Sequence, residues 1–232
     1  MAKKWLNKLK NMLQKSTLEF LNQLQANNNR DWFAEHKKAF ETEQKLAKTF
    51  FTSVGEQLGK IDSIERIQIF RIYRDVRFSK DKLPYKNHFS VGFTRTKPLL
   101  RGGYYLHIEP GGSFVGGGFW EPNPVDLNRI RKEFEMDDDE IRTIIADATF
   151  KKFFGDLKGE ELKTAPKGFD KTHPAIDLIR KKQYLVTRSF SDKEVLAPNF
   201  QEEVLATFQA MRPFFNYMSE VLSTDLNGES IY

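Results

Sequence analysis

Cysteine is absent from the 232 residues, which excludes disulfides, thiolate metal sites and a cysteine nucleophile. That absence fits a reducing compartment. No apolar run approaches the roughly 20 residues of a membrane span. The lysine-bearing N-terminus lacks the uninterrupted apolar segment and small-residue cleavage site of a signal peptide, so a cytoplasmic location is expected. Histidine is scarce, at four residues, which leaves few candidates for imidazole chemistry. Net charge is also scarce once its source is found. The formal +5 arises from Lys3, Lys4, Lys8, Lys10 and Lys15, with no acid before residue 16, so residues 16–232 carry 32 basic and 32 acidic side chains. A neutral domain has little bulk attraction for long polyanions.

What is present suits a folded chain: 39% apolar, 30% charged and 21 Phe, the last able to fill a core from few positions. Trp5, Leu6, Leu9, Met12 and Leu13 recur at helical spacing. We read residues 1–15 as an appended basic amphipathic helix docked on its own domain, residues 16–232. Such a helix can also lie on a membrane, but alone it anchors weakly. Ser16-Thr17-Leu18-Glu19 has the form of a capping box opening a short helix. One of Asn27, Asn28 and Asn29 is expected to cap a long helix with Trp32, Phe33, Phe40, Ala47, Phe50, Phe51, Val54 and Leu58 on its apolar stripe. His36, on or beside that stripe, reads as a packed or capping residue.

From residue 64 the period changes to two. Ile67, Ile69 and Phe70 enter a strand expected to reach Phe78. Phe89, Val91 and Phe93 alternate with polar or small residues, and Leu106 and Ile108 alternate with Tyr105, His107 and Glu109. Pro110-Gly111-Gly112 has turn chemistry, with residues 113–119 returning as a hairpin. Helices follow at 125–135, 138–154, a short one after His173-Pro174, and 199–222 with a kink at Pro213. A strand is expected at 184–190. Helices, then a sheet, then helices imply an α+β single domain. Its antiparallel sheet packs helices on one face and leaves a polar opposite face.

The densest basic stretch outside the N-terminus is residues 66–88, with seven Arg or Lys and two Asp. Extended backbone at 69–77 would put Arg71, Tyr73, Asp75 and Arg77 on one face. They would join His88, Tyr105, His107 and Glu109 on the polar side, with Ser79–Lys86 as a lysine-rich loop. Arg offers a fork for carboxylate or phosphate, Lys a mobile charge, and Tyr and His directional hydrogen bonds. The bland alternative is a solvated face on which Asp75 and Asp81 pair with neighbouring cations. Arg74 falls among the apolar side chains of the expected strand, where it would need a buried partner and act as a structural staple.

Other motifs carry less. His107-Ile108-Glu109 has the H-x-E form of zinc deaminases, whose cysteine ligands are missing. His88, His107 and Glu109 have the types of a two-histidine, one-carboxylate metal set. An i, i+2 pair arises easily by chance, however, and no metal is assigned. Ser79-Lys80-Asp81-Lys82 matches S-x-x-K without its companion motifs. The glycines at 111, 112 and 116–118 form neither a dinucleotide fingerprint nor a P-loop. They are expected to shape a hairpin and to allow close backbone approach.

The string Phe70-Arg71-Ile72-Tyr73-Arg74-Asp75-Val76-Arg77-Phe78-Ser79-Lys80-Asp81-Lys82 is the most specific part of a wider resemblance. With Asn27–Phe33, Pro84-Tyr85-Lys86, Glu109-Pro110-Gly111, Gly116–Trp120, Ala165–Phe169 and His173-Pro174, the chain resembles a widespread family of conserved hypothetical proteins. The matches span roughly residues 17–220. The resemblance implies one intact domain of unknown function, and brings with it no activity, cofactor or catalytic residue.

The residues themselves point to a small-molecule site on the polar sheet face for an anionic, phosphate- or carboxylate-bearing ligand. Arg71, Tyr73, Arg77, Lys80, Lys82, Lys86 and His88 are expected to bind it. His107 and Glu109 are the pair best suited to acid–base catalysis, if there is catalysis. The alternatives are a nucleic-acid-binding module and a protein-interaction module using the same Arg/Tyr-rich face. No cofactor and no oligomeric state follows from the sequence.

Overall fold

The computed structural model describes residues 12–232, so most of the expected N-terminal helix lies outside the described residues. Met12, Leu13 and Gln14 are not helical, and Leu13 is buried. The first helix, α1 (Lys15–Ala26), starts one residue before the expected capping box and has no side-chain cap. Thr17 instead donates its hydroxyl to the buried Glu43 carboxylate, 2.7 Å away. The capping box is corrected accordingly: the helix begins at Lys15, so Ser16 lies inside its first turn and not at the cap position.

The single long helix expected after the asparagines is two. Asn29 accepts the Trp32 N–H and caps α2 (Arg30–Glu35). The chain then breaks at His36 before α3 (Lys37–Leu58). His36 stacks on Trp32 with centroids 4.0 Å apart and donates from Nδ1 to the Trp32 carbonyl. It is the packed histidine the sequence implied, placed at a helix break. Phe40, Ala47, Phe50, Phe51, Val54 and Leu58 are buried along α3.

A five-stranded antiparallel sheet follows, in the order β1 (Ile64–Ile69), β2 (Phe89–Arg95), β3 (Gly103–Ile108), β4 (Phe114–Phe119) and β5 (Tyr184–Ser189). Between β4 and β5 come α4 (Pro124–Met136), α5 (Asp139–Ala146), α6 (Ala148–Phe154) and α7 (Ile176–Ile179). The expected 138–154 helix divides because Asp147 turns out of it and caps α6 through the Thr149 and Phe150 N–H groups. Past β5 lie α8 (Asp192–Val195), α9 (Phe200–Ala210) and α10 (Arg212–Ser223). The closing segment thus breaks at Met211, leaving Pro213 in the first turn of α10, where its missing N–H costs nothing.

Period-two burial sorts the two sheet faces. Phe89, Val91, Phe93, Tyr104, Leu106, Ile108, Val115, Tyr184 and Val186 are buried on the face toward the helices, where α3 packs on β1 and β2, and α9 on β4. Gly117 lies on this face because a Cβ there would stand 2.7 Å from Met211 Sδ and 2.8 Å from Phe215 Cζ. The opposite face carries Ser90, Gly92, Tyr105, His107, Phe114 and Gly116. The α+β arrangement is therefore as read from the sequence. No helix among the described residues is long and apolar enough to cross a membrane.

Candidate functional site

The expected strand through Phe78 stops at Ile69. Beyond it the β1–β2 hairpin continues as a narrow, irregular extension. Phe70 N–H donates to Ser90 O, Lys86 N–H to Ile72 O and Arg74 N–H to Pro84 O, with a single bridge between Tyr73 and Tyr85. The chain loses regular pairing here because charged side chains alternate with too few apolar ones to fill a second layer. Residues 75–83 form the tip.

Asn28 seats this extension. Its side chain donates to the Tyr85 carbonyl at 2.9 Å and accepts the Tyr85 N–H at 3.1 Å, while Phe33 stacks on the Tyr85 ring 4.0 Å away. Asn28 and Asn29 therefore have separate jobs: one clamps a backbone 57 residues away, the other caps a helix. Ile72 is buried beneath the extension.

The expected clean partition of residues 69–78 between two faces does not occur. Phe70 lies on the open sheet face, over Gly92 and edge-on to Tyr105. Arg74 is no buried staple: its side chain is 29% exposed and it pairs with Asp81 on the tip. Arg77 folds back on Asp75, donating through both Nε (3.0 Å) and a terminal nitrogen (2.7 Å). Lys82 donates to the Val76 carbonyl. Arg77, Lys80 and Lys82 thus sit on the exposed tip together with Phe78, which is 96% exposed. Tyr73 is half exposed and rests on Phe33 and Tyr85.

A different subset converges. In the β2–β3 register Ser90 faces His107, and continuing that register by one residue sets His88 opposite Glu109. His88, Ser90, Tyr105, His107 and Glu109 consequently share the open face. The His88 and His107 rings lie 4.0 Å apart. His107 Nε2 is 2.7 Å from Glu109 Oε2, and its Nδ1 is 3.2 Å from the Tyr105 hydroxyl. Because a carboxylate accepts, Nε2 carries the proton in this arrangement and Nδ1 accepts from Tyr105. Asn87 donates to the other Glu109 oxygen at 2.5 Å. Phe114 stacks on His107 at 4.8 Å. The turn after β3 makes room for the carboxylate, since a Cβ on Gly112 would stand 3.2 Å from Glu109 Cδ.

The electrostatics of this cluster are set by burial among cations. Burial pushes His88 down to about 3, helped by His107, Lys86 and Arg74. His107 is also lowered, burial outweighing its hydrogen bond to Glu109. The Lys86 ammonium lies 5.6 Å from the centre of the Phe70 ring. Its pKa is lowered by burial first and then by Arg71 and Arg74. Among the described residues no carboxylate pairs with Lys86 or Arg71.

Of the nine residues expected from sequence, the fold groups Lys86, His88, His107 and Glu109, with Arg71 alongside Lys86. It puts Arg77, Lys80 and Lys82 on the tip. Asn87 and Tyr105 complete the group as hydrogen-bond partners; Tyr105 was visible from strand alternation, whereas Asn87 gave no signal outside the structure.

A family described as conserved hypothetical protein, DUF2461, matches residues 16–217. The chain belongs to the DUF2461 family. The matched span contains the Asn28 clamp, the hairpin extension and the whole His107 cluster, so these belong to the family domain and not to an addition. No curated protein and no solved structure matches the chain.

Proposed function

We propose that the open sheet face around His107 binds an anionic small molecule bearing a phosphate or carboxylate. The observation that carries this reading is Lys86: a half-buried ammonium held over Phe70, beside Arg71 and two histidines, with no carboxylate partner among the described residues. Placing an uncompensated charge out of water is costly, and an anion would relieve it with charge-assisted hydrogen bonds. His107 and Glu109 supply a positioned proton donor and acceptor next to that anion, which suits proton transfer in the protein without further ligands.

Isothermal titration with inorganic phosphate and simple carboxylates tests the reading. Binding that disappears in Lys86→Met and weakens in Arg71→Ala supports it. Equal affinity in wild type and Lys86→Met overturns it.

A protein-interaction role for the hairpin tip is the second reading, favoured by the exposure of Phe78. It predicts that Phe78→Ser abolishes capture of a specific partner while leaving phosphate binding intact.

A further inference from the structure

The same open face holds a set of groups that an anion site does not need. His88, His107 and Glu109 each offer one ligand atom, and all three atoms lie within 4.8 Å of one another. From this we infer that the three residues bind a divalent first-row transition metal, of the zinc or iron(II) class. Two imidazoles and one carboxylate are a ligand set shared by mononuclear non-haem iron sites and by catalytic zinc sites that keep positions open to solvent or substrate.

Proximity alone would be weak support, and three further features point the same way. First, partner atoms behind two of the three ligands, His107 and Glu109, are already in place. Tyr105 bonds His107 Nδ1, leaving Nε2 as the coordinating nitrogen, and Asn87 holds the Glu109 oxygen that does not face His107. Metal-binding histidines and carboxylates are oriented by such outer hydrogen bonds. Second, Glu109 forms no ion pair with Lys or Arg among the described residues, although it stands in a cationic neighbourhood. Its carboxylate is kept for His107 and seated against Gly112. Third, the ligands come from strand positions and the residues flanking them, with His107 packed against the tilted His88 ring and stacked on Phe114. On binding, the His107 proton moves from Nε2 to Nδ1, which then donates to the Tyr105 hydroxyl oxygen, and the metal takes the freed Nε2 lone pair with small side-chain movements.

This inference deepens the reading of the same site and rests on the open face being its functional surface, but it is carried by other residues than Lys86. An anion held by Lys86 would lie next to the open metal positions, so the substrate class becomes a metal-coordinating phosphate or carboxylate.

The test uses the full chain without an affinity tag, stripped with chelator and titrated in phosphate-free buffer. Zn(II) is followed by calorimetry and Co(II) by its visible absorption. One metal per chain is expected, with a cobalt spectrum that changes when inorganic phosphate is added. His88→Ala and Glu109→Gln should each weaken binding tenfold or more. Asn87→Ala should weaken it by about 10–100-fold, the usual effect of an outer hydrogen bond. Circular dichroism and thermal melts establish that the variants fold; Glu109→Gln keeps the shape of the side chain should His88→Ala fail. Metal binding absent from the wild type, or unchanged in folded His88→Ala or Glu109→Gln, overturns the inference. Lys86-dependent phosphate binding without metal would retain the anion reading and remove this one. Metal binding at the triad with no Lys86-dependent phosphate binding would do the reverse.

Discussion

Two arginine- and lysine-bearing regions of this protein treat charge in opposite ways. At the end of β2, Arg95 points into the helical face and has no solvent exposure. Its Nε lies 2.8 Å from Asp62, its terminal nitrogens donate to Asn216 and Ser219, and its guanidinium covers the Phe215 ring. Tyr104 donates to the same Asp62 carboxylate. On the other sheet face Lys86 forms no ion pair among the described residues, the exposed Arg71 acts on Asp75 only at longer range, and His88 and His107 are packed against each other. The first region closes its electrostatics internally, which is what a structural ion pair must do to offset desolvation. The second leaves the half-buried Lys86 without an ion-pair partner among the described residues and holds the Glu109 carboxylate on His107, so internal pairing does not close it as it closes the Arg95 network.

The contrast can be broken by mutation, with the largest effect expected at the closed network. Arg95→Ala leaves the Asp62 carboxylate buried without its cation and should cost about 3–5 kcal/mol in chemical denaturation. Replacing both partners, Arg95→Met with Asp62→Leu, should cost clearly less than either single truncation, since no orphaned charge remains. A double variant as unstable as the worse single would mean that the surrounding polar groups, not the pair, dominate.

Next comes the clamp that seats the hairpin extension. Asn28→Ala abandons the Tyr85 N–H and carbonyl together and should destabilise by roughly 1–3 kcal/mol. Faster amide exchange should be confined to residues 70–88; exchange unchanged there would show that Phe33 stacking alone suffices.

The open site should respond in the opposite sense. Lys86→Met removes a half-buried charge that burial, Arg71 and Arg74 all oppose, so the melting temperature should hold or rise while phosphate binding is lost. A fall in melting temperature would make Lys86 structural. The smallest effect belongs to Arg77→Ala. Its guanidinium is already committed to Asp75, so affinity for phosphate should fall less than in Arg71→Ala, and thermal stability should not change measurably.

Much of the architecture was legible beforehand because it follows from periodicity. Alternation around Phe89–Phe93 and Tyr105–Glu109 placed β2 and β3 and assigned His88, His107 and Glu109 to one face. The helix breaks at His36, Asp147 and Met211 were not legible. Apolar spacing runs through all three, and what ends each helix is packing or a cap that competes with continuation. Arg95 left a readable trace, standing two residues after Phe93 and so in phase with the apolar face. Its partner Asp62 lies 33 residues away, and nothing local names it.

The basic string at 70–88 shows where sequence reasoning reaches its limit. Alternating side chains imply extended backbone, and the backbone is indeed nearly extended, but a strand needs a neighbour along its whole length. Past Ile69 that neighbour is the stretch before Phe89, which itself has no further strand beside it and is held down by Asn28 and Phe33. The sequence by itself determined the α+β class, the polar face and the residue types able to do chemistry there, because these depend on local period and side-chain identity. Only the tertiary structure decided which cations are neutralised and which stay free, because that depends on distances between residues far apart in the chain. Of nine candidate residues it gathered Lys86, His88 and Glu109 around His107 with Arg71 alongside Lys86, rested Tyr73 on Phe33 and Tyr85, and left Arg77, Lys80 and Lys82 on an exposed tip.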